Sequence, residues 1–505
     1  MPPSSLLALS DASLAIVPDS VVAGGGASWG LARTPDGPRL VVAPDAAPGA
    51  PPPGFVGARG ERAGRAIFVG PVGEANAAVL RRSLSWLVPR PLPPGTSAGF
   101  GDRMGVATPG HVRALRAVGA PAVPIAPIFA QQSIREMSRS GRTPQAVIDD
   151  ATWGAFEAGW TAGVGADADH LKTPADVDAC AAAGFSFFTI DPGAFVNDRA
   201  EAAPAEELRQ AFDALPWDRL ESSGVSLRRS LAGRVLDVDG HRVPIDEAAV
   251  VKAAVKYGAA VAHVAMMYRH LASVKAGEAF DLEVSVDETD TPTSHAEHVY
   301  IASELQRLGV RWISLAPRFV GRFEKGVDYI GDVEAFESDI ATHAAIARHF
   351  GPYKLSLHSG SDKFSIYEIA ARHTRGSVHL KTAGTSYLEA LRAVARVAPD
   401  LFRAVYAFSR DRYEEDRASY HVSARLDRTP EPAALASGDV AGLLDQFDAR
   451  QVLHVTFGSV LTARDAAGAP LFADAVLALL KSHPEVYAEC LERHFARHLR
   501  PFVRS

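Results

Sequence analysis

Imidazole and charged side chains follow several short apolar segments of the chain, each at the point where the segment ends. The clearest example is the stretch 353–387, in which His358 closes one strand-like run and His379 and Lys381 lie in the next. A strand, a polar loop, a helix and a second strand in so few residues form a βα unit with parallel strands. Ligand-handling residues of such units collect where strands end and loops begin. We therefore expect His358 and His379 to lie side by side over one cavity.

Three histidines at strand ends, His170, His358 and His379, carry the strongest chemical signal. Neutral imidazole is the commonest metal ligand, and three such groups can hold a divalent ion while leaving positions open for substrate oxygens. The sequence thus predicts a divalent cation, with Mn, Ni, Zn and Co as candidates. The alternative is a structural role, as for many of the 17 histidines that fall on helices. No H-E-x-x-H motif is present, so the fold must supply the geometry.

Two carboxylates, Asp102 and Glu288, are the predicted acid/base pair. They follow an early and a middle strand, so they would face each other across a barrel mouth, as a two-sided proton transfer requires. Asp102 has two alternatives, an ion pair with Arg103 or an N-cap of the next helix. The acidic run 287–291 could instead cap the helix that begins near His295, or supply a fourth metal ligand.

Cationic and amide side chains form the predicted substrate-binding set. Arginine presents a planar fork that matches a carboxylate, and lysine a point charge that polarises a carbonyl. For each charged member the alternative is a solvated surface charge, and Lys381 could in addition form a Schiff base. Lys325 belongs to the same class, and the SGSDK and TAGTS loops offer N–H groups and hydroxyls for a polyol. The predicted substrate-binding residues are Arg318, Lys363, Lys381 and Gln132.

The elements that must position these residues alternate regularly between short apolar segments and amphipathic ones. Eight strand-like segments, most followed by a helical one, are typical of a closed parallel barrel with an outer ring of helices. The sequence therefore predicts an α/β fold, a (β/α)8 TIM-type barrel. The eight predicted strands are 98–102, 122–128, 162–167, 185–191, 281–286, 312–315, 354–357 and 377–380.

Composition shifts divide the chain into three predicted regions. Residues 1–95 read as a small β-rich N-terminal cap that ends at a proline-rich linker. Residues 96–400 form the barrel, with an insert around 199–276, and residues 401–505 form a mostly helical C-terminal extension packed on the barrel. Within that extension, 405–408 and 452–457 are predicted as strands.

The overall charge and apolar content exclude several partners. The chain has 505 residues, 47% hydrophobic residues, a net charge of -7 and a pI near 6.2, and its basic residues are dispersed. Nucleic acid and anionic membrane are thus not expected as partners. We find no signal peptide, no apolar run long enough to cross a bilayer and no dinucleotide fingerprint. The predicted protein is cytoplasmic, binds no nucleotide, takes a small-molecule substrate and is a possible homo-oligomer.

Six sequence blocks together resemble the tagaturonate/fructuronate epimerase family of uronate catabolism, whose members also serve as scaffolds for tagatose 4-epimerases. The blocks are FGDRMGVATPGH, FAQQSIREM, VSVDETDTPTSHAEH, LAPRFVGRFEKGVDYIGD, LHSGSDKFSIYEIAARHT and HLKTAGTSYLEALR. The resemblance implies a divalent-metal-dependent epimerase of a keto-uronate or ketohexose. It also implies metal ligation by His170, His358 and His379, with proton transfer by Asp102 and Glu288.

The chemistry of the implied reaction limits its mechanism. The two uronates differ at a carbinol carbon that is not adjacent to the ketone, so enolisation cannot invert it. Retro-aldol cleavage and rejoining remains, as does transient oxidation by a nicotinamide, for which no site is found. Two other hypotheses stay open. One is a metal-dependent sugar-acid aldolase, which would release the fragments, and the other is a non-catalytic sugar-binding barrel, which would show no metal dependence.

Overall fold

Eight parallel strands, which we number β1 to β8 along the chain, close into a barrel in the order β4–β5–β6–β7–β8–β1–β2–β3. The computed structural model describes residues 6–45, 49–358, 362–382, 384–435 and 440–503. Each of the eight predicted barrel strands overlaps an observed one, and the predicted (β/α)8 barrel is confirmed. The strands are β1 Ser97–Gly99, β2 Ala126–Ser133, β3 Gly165–Leu171, β4 Phe187–Ile190, β5 Asp281–Ser285, β6 Ser314–Ala316, β7 Lys354–His358 and β8 Val378–Lys381.

Helices surround the barrel on its outer face. Most of them follow a strand directly, and the remainder form the C-terminal extension. In chain order through the barrel they are Thr108–Ala117, Ile134–Ser140, Pro144–Glu157, Pro174–Ala183, Glu247–Lys275, His295–Arg307, Val333–Phe350, Phe364–Thr374 and Thr385–Val397. Those of the extension are Pro399–Asp416, Phe447–Val455, Phe457–Thr462, Ala473–Ser482 and Pro484–Leu499.

The period-two alternation of strand side chains gives the barrel a polar interior and an apolar outer surface. On β7, Leu355 and Leu357 are buried against the helix layer, whereas Lys354, Ser356 and His358 alternate with them and face the barrel axis. Asp281, Glu283 and Ser285 occupy the same positions on β5. Charged groups in such an interior must be paired with one another, and this pairing determines the chemistry of the mouth.

The insert between β4 and β5 contains two short helices, Ala205–Asp213 and Gly224–Leu231. A hairpin of Arg234–Val238 with His241–Ile245 follows them. Among the described residues, the helix Glu247–Lys275 is long and apolar enough, by length and composition, to cross a membrane, although Lys252, Lys256 and Arg269 interrupt its apolar sequence. Of its most apolar window, 83% is buried inside the protein, as in a core helix.

An antiparallel sheet precedes the barrel. In the part of the chain described, its strands are joined in the spatial order first, third, fourth, sixth, fifth, with the second strand paired to the third. The helix Glu74–Ser83 follows the sheet and lies against the barrel helix Pro144–Glu157. The strands are Ala15–Ile16, Val22–Gly24, Ala27–Thr34, Gly37–Pro44, Ala58–Arg62 and Arg65–Pro71.

Two strand predictions in the C-terminal extension are wrong. Residues 405–408 lie in the helix Pro399–Asp416. Residues 452–457 span the end of the helix Phe447–Val455 and the start of the helix Phe457–Thr462. In the helix Pro399–Asp416 the buried side chains include Phe402, Val405, Tyr406 and Ser409. Their spacing of three and four residues defines one helical face. A four-residue apolar window is too short to separate this pattern from a strand.

The last helix, Pro484–Leu499, packs against the barrel helix Thr108–Ala117. Gly110 permits this close contact, because a Cβ atom there would lie 2.5 Å from Leu491 Cδ1. The Tyr487 hydroxyl donates to the Ser386 carbonyl at 3.1 Å, which joins the same helix to the element that follows β8. The extension is therefore fastened to the side of the barrel near β1 and β8.

Candidate active site

A bulge at the end of β3 turns two consecutive side chains toward the barrel mouth. Ala168 and Leu171 of β3 pair with Phe188 and Ile190 of β4. The same stretch therefore spans three residue steps in β3 and two in β4, which leaves one extra residue in β3. His170, at this point, has a φ of 52°, a left-handed conformation that is uncommon for a residue with a side chain. Such bulges re-aim side chains. As a result Asp169 and His170 both reach the mouth, although neighbours on a regular strand point to opposite faces.

Asp169, His170 and His358 converge at the mouth. One ligand atom from each lies within 4.8 Å of the others, and the two imidazole rings meet edge to face with centroids 5.1 Å apart. His170 Nδ1 lies 3.3 Å from Asp191 Oδ2, which fixes the orientation of its ring and leaves Nε2 facing Asp169. This is the arrangement of a metal-binding histidine that is oriented by an outer carboxylate.

His358 lies between two carboxylates. Its Nε2 is 2.7 Å from Glu283 Oε1 and its Nδ1 is 3.2 Å from Asp287 Oδ1. Burial lowers the pKa of His358, but Asp287 and Glu283 outweigh that effect and raise it to about 10. Burial also opposes protonation of His170, whose pKa is raised to about 9 by Asp169, Asp191 and Glu288. The site thus favours positive charge strongly.

The Lys381 ammonium lies beneath these imidazoles inside a cage of carboxylates. Its Nζ is 2.7 Å from Asp169 Oδ1, 2.8 Å from Glu283 Oε1 and 3.1 Å from Asp167 Oδ2. Burial would lower the pKa of Lys381, yet the three carboxylates raise it above its usual range. A lysine held in its charged form by three anions is unsuited to the Schiff-base role, which requires a neutral amine.

The donor set of the mouth fits a divalent cation. Two imidazoles and a carboxylate converge, and the buried Glu283 Oε2 has no hydrogen-bond partner among the described residues. Nitrogen and oxygen donors of this kind suit Zn, Mn, Co, Ni or Fe ions. The carboxylates Asp167, Asp169, Asp191, Glu283, Asp287 and Glu288 outnumber the nearby lysine ammoniums, so the electrostatic field also favours a bound cation.

The cluster opens into a cleft. Two cavities adjoin His358, one of about 40 Å³ and a larger one of about 350 Å³. Lys325, His358 and Tyr420 border both. Carboxylates, cations and polar groups line the walls, as expected for a polyhydroxylated substrate. Other lining residues are Arg103, Arg135, Glu136, Gly384 and His454 in the smaller cavity, and Asp287, Glu288, Arg318, Arg322, Glu324 and Ser423 in the larger.

Glu288 is in this cleft beside His170. Glu288, His170 and Asp191 form a second set of ligand atoms within 4.8 Å of one another. Arg135 Nη2 lies 3.4 Å from Glu288 Oε1. Burial alone would raise the pKa of Glu288, but His170 and Lys325 lower it below its usual value, so the carboxylate stays ionised. Ser294, with Glu297, forms the capping box of the next helix, which leaves Glu288 free of that capping role.

His379 lies deeper than the other two predicted metal ligands. It precedes Lys381 by two residues on β8, pairs in register with Ser97 of β1, and is fully buried. Its Nδ1 is 2.8 Å from Ser97 Oγ and its Nε2 is 3.5 Å from Asp167 Oδ2. None of the ligand groups found among the described residues includes it. The structure therefore brings His170 and His358 together and separates His379 from them.

Asp102 lies outside the cleft walls and holds a loop together. Its Oδ1 accepts hydrogen bonds from the backbone of Met104 and Gly105 at 3.0 and 2.7 Å, and its Oδ2 accepts one from Ala107 at 2.6 Å. Both carboxylate oxygens are thus committed to the turn that leads from β1 into the helix beginning at Thr108. The helix itself has Ala107 at its N-cap and no side-chain cap, so Asp102 holds the turn before the helix and does not cap it, and its acid/base role stays a prediction.

Replacing Asp102 by asparagine should therefore test the loop-capping role. The amide keeps one acceptor oxygen, so we expect a loss of about 1–2 kcal/mol in the free energy of unfolding. The turnover number of the folded enzyme should stay within about threefold, because catalytic proton transfer is worth far more, about 10²–10⁴-fold. Thermal denaturation and steady-state kinetics measure the two quantities. A large fall in turnover at unchanged stability would favour the acid/base role instead.

The predicted substrate-binding residues differ in position. Lys381 and Arg318 border the cleft, and Arg318 also braces the acidic loop by donating to the Thr289 carbonyl. Lys363 is fully buried and donates to the Glu324 carbonyl at 2.9 Å, while burial lowers its pKa to about 7. Gln132 is buried and accepts from Arg142 at 3.0 Å. Residues 359–361 and 383, in the two predicted polyol-binding loops, lie outside the described residues.

Several residues of the cleft had only a weak sequence signal. Asp169 directly precedes His170, but strand alternation would have placed it on the opposite face. Glu283 lies inside a strand rather than at its end. Tyr420 and His454 belong to the C-terminal extension, far from every barrel strand in sequence. Their positions depend on how the extension folds back, and no motif in the chain encodes this.

Comparisons with known proteins agree with one another. A family model described as tagaturonate epimerase matches residues 54–502. A tagaturonate/fructuronate epimerase of Thermotoga maritima is 42% identical over 473 residues, 94% of this chain and 93% of that protein. The native crystal structure of the fructuronate-tagaturonate epimerase UxaE from Cohnella laeviribosi matches with 34% identity, covering 99% and 98% of the two chains at a TM-score of 0.90. A glycerol complex of that enzyme matches at 35% identity and a TM-score of 0.89, covering 97% and 96% of the chains.

Proposed function

The chain belongs to the tagaturonate epimerase family, and on this premise we propose that it interconverts D-tagaturonate and D-fructuronate with the help of a divalent cation. It is an epimerase, an enzyme of the isomerase class, that acts on a small molecule. The convergence of Asp169, His170 and His358 beside Glu288, at the mouth of the cleft, is the observation that carries the proposal. A cytoplasmic location and a homo-oligomeric state stay predictions.

The proposed ligand set differs from the one that the family resemblance implied. Asp169 takes the place of His379, since its carboxylate lies with the two imidazoles whereas His379 pairs with Ser97 one layer below. When bound there, the cation supplies a Lewis acid for the ketone and the neighbouring hydroxyl of the substrate. Lys381, which contacts Asp169 and Glu283 from below, keeps the remaining carboxylate charge balanced.

The chain's own residues account for the proton transfers of a retro-aldol route. Glu288 removes the proton from the hydroxyl of the epimerising carbon as the bond between that carbon and the α-carbon breaks. The electron pair of the broken bond moves into the ketone-bearing fragment as an enediolate. The aldehyde then rotates, the bond forms again on its other face, and the proton returns to the new alkoxide. Lys325, which borders both cavities and is close to Glu288, is our candidate for holding the aldehyde oxygen.

The cations of the cleft favour a uronate over a neutral ketohexose. Arg135, Arg318 and Lys325 all border the cavities, and a guanidinium pairs well with a carboxylate. We therefore propose that the substrate carboxylate binds to these side chains. Tagatose and fructose, which lack the carboxylate, should be poorer substrates.

An NMR assay with purified enzyme tests the function. Chelator-treated protein should fail to interconvert the two uronates, and Mn²⁺, Co²⁺, Ni²⁺ or Zn²⁺ should restore the reaction. In D₂O the retro-aldol route predicts no obligatory deuterium at the inverted carbon, and stoichiometric label there would rule it out. Accumulation of separate aldehyde and keto fragments would identify an aldolase instead. Full activity after complete metal removal would contradict the metal requirement.

Replacing Glu288 by glutamine tests its role as the base. The amide is isosteric but cannot accept the proton, so the turnover number should fall about 10²–10⁴-fold while the Michaelis constant changes much less. Asp290→Asn is the matched control. It removes an exposed carboxylate from the same acidic loop, two residues away, that borders neither cavity. Equal activity of the Glu288→Gln variant and its control would eliminate Glu288 as the base.

A further inference from the structure

A second group of metal-type side chains lies where the C-terminal helix meets the loop after β7. It consists of Asp362, His494 and His498, whose ligand atoms lie within 4.8 Å of one another. His494 and His498 are four residues apart on the helix Pro484–Leu499, so both imidazoles project from one face. Both rings are buried, with side-chain exposures of 7% and 0%.

The hydrogen-bonding pattern of these rings leaves one nitrogen of each directed at the same space. His498 Nδ1 donates to the His494 carbonyl at 3.1 Å, so the lone pair of that ring is on Nε2. His494 Nδ1 is 3.4 Å from Glu389 Oε1, so this ring lies between two carboxylates. The two Nε2 atoms lie 3.0 and 3.4 Å from one oxygen, Asp362 Oδ1.

None of these three atoms has a hydrogen bond of acceptable geometry to any described residue. Three buried acceptors that face one another without a proton or cation between them are unfavourable. One cation bound among the three atoms would satisfy all of them at once.

The surroundings hold the three donors in place. Arg450 Nη2 binds the other oxygen of Asp362 at 2.7 Å, which leaves Oδ1 as the free donor, and Arg450 Nε is fixed on the Gly326 carbonyl at 2.7 Å. A cavity of about 260 Å³, bordered by Asp362, His494, Arg392 and Arg450, adjoins the group. Water from this cavity can complete a four-coordinate shell.

We propose that Asp362 Oδ1, His494 Nε2 and His498 Nε2 bind a second divalent transition-metal ion of the Zn²⁺ class, separate from the cation of the cleft. This ion joins the C-terminal helix to the segment that begins four residues after His358, so its role is structural. It holds the extension, which supplies Tyr420 and His454 to the cleft, against the barrel. Removing it should lower thermal stability more directly than catalysis.

Metal stoichiometry tests the second site without disturbing it. Chelator-treated protein is reloaded with Zn²⁺, freed of excess metal by gel filtration and analysed by mass spectrometry. The wild-type chain should retain two equivalents and His358→Ala one equivalent. The His494→Gln/His498→Gln variant should also retain one, now in the cleft. A variant that combines His358→Ala with His494→Gln and His498→Gln should retain no ion. The control variant His483→Gln, which changes an exposed histidine just before the same helix, should retain two ions.

Two further readouts separate this proposal from the proposed function. Zn²⁺ should raise the melting temperature of His358→Ala protein, and Co²⁺ bound to it should show visible absorption typical of nitrogen and oxygen ligation. Retention of no metal by folded His358→Ala protein would overturn the second site. A wild-type chain that retains a single equivalent, kept by His358→Ala and lost by His494→Gln/His498→Gln, would count against the cleft proposal and leave the second site standing.

Discussion

Replacing His358 by alanine should abolish both epimerisation and metal binding in the cleft. His358 supplies one of two imidazoles to the ligand set and also separates Glu283 from Asp287. Without it the carboxylates repel each other, and the substrate loses its Lewis acid. We expect the ratio of turnover number to Michaelis constant to fall on the order of 10⁴-fold, which corresponds to about 5.4 kcal/mol of transition-state stabilisation. The uronate NMR assay measures this loss, and metal analysis should show one equivalent fewer than in the wild type.

His379→Gln is the matched control for this experiment. Both histidines are buried inside the barrel on adjacent strands, but His379 contacts Ser97 and Asp167 instead of the His170–His358 pair. Glutamine can replace its hydrogen bond to Ser97. The variant should keep the cleft ion and most of its activity while losing some stability. The reverse pattern, in which His379→Gln loses the ion and His358→Ala keeps it, would restore the ligand set implied by the family resemblance.

Strand register explains why one histidine of the predicted trio belongs elsewhere. The sequence placed His358 and His379 correctly on neighbouring parallel strands. In the structure, however, His358 pairs with Lys381 and Ser356 pairs with His379. His379 therefore lies one layer lower, where the barrel interior is closed. Register depends on contacts between strands, and the residue types within either strand do not reveal it.

The bulge at His170 explains the residue that sequence reasoning left out of the metal site. On a regular strand only one of Asp169 and His170 could face inward. The extra residue in β3 lets both point to the mouth. A left-handed φ at a histidine shows that the fold maintains this conformation against its local preference. A bulge in a parallel strand has no composition signal, so the structure was needed to detect it.

A position at the end of a strand does not by itself distinguish the roles of Asp102 and Glu288. Asp102 follows a strand, as a catalytic residue would, yet three backbone N–H groups of the following turn occupy it. Glu288 has the same kind of position but faces the cleft. Both assignments were consistent with the sequence, since an aspartate near a helix start serves either purpose. The eight-strand alternation, by contrast, was long and regular enough to identify the barrel.

The largest stability effect should come from Lys381→Met. The ammonium of Lys381 neutralises Asp167, Asp169 and Glu283 in a fully buried cage. Methionine fills a similar volume but removes the ammonium that the three carboxylates share, and breaking a buried ion pair from one side costs about 3–5 kcal/mol. We expect at least this loss in the free energy of unfolding, measured by denaturant titration of chelator-treated protein, so that bound metal cannot replace the missing charge.

Lys354→Met provides the comparison that isolates the role of the cage. Lys354 is also buried inside the barrel, on β7, but within the described part of the chain its Nζ bonds to the Ser97 hydroxyl and the Pro93 carbonyl alone, at 3.0 and 3.3 Å. Burial lowers the pKa of Lys354 to about 8, with Asp281 and Glu283 opposing that effect, so its charged form is unfavourable in the fold. Replacing it should cost about 1 kcal/mol or less, since apolar replacement of a poorly compensated buried charge is often neutral. Equal losses for the two variants would show that volume and packing, and not the three carboxylates, determine the contribution of Lys381.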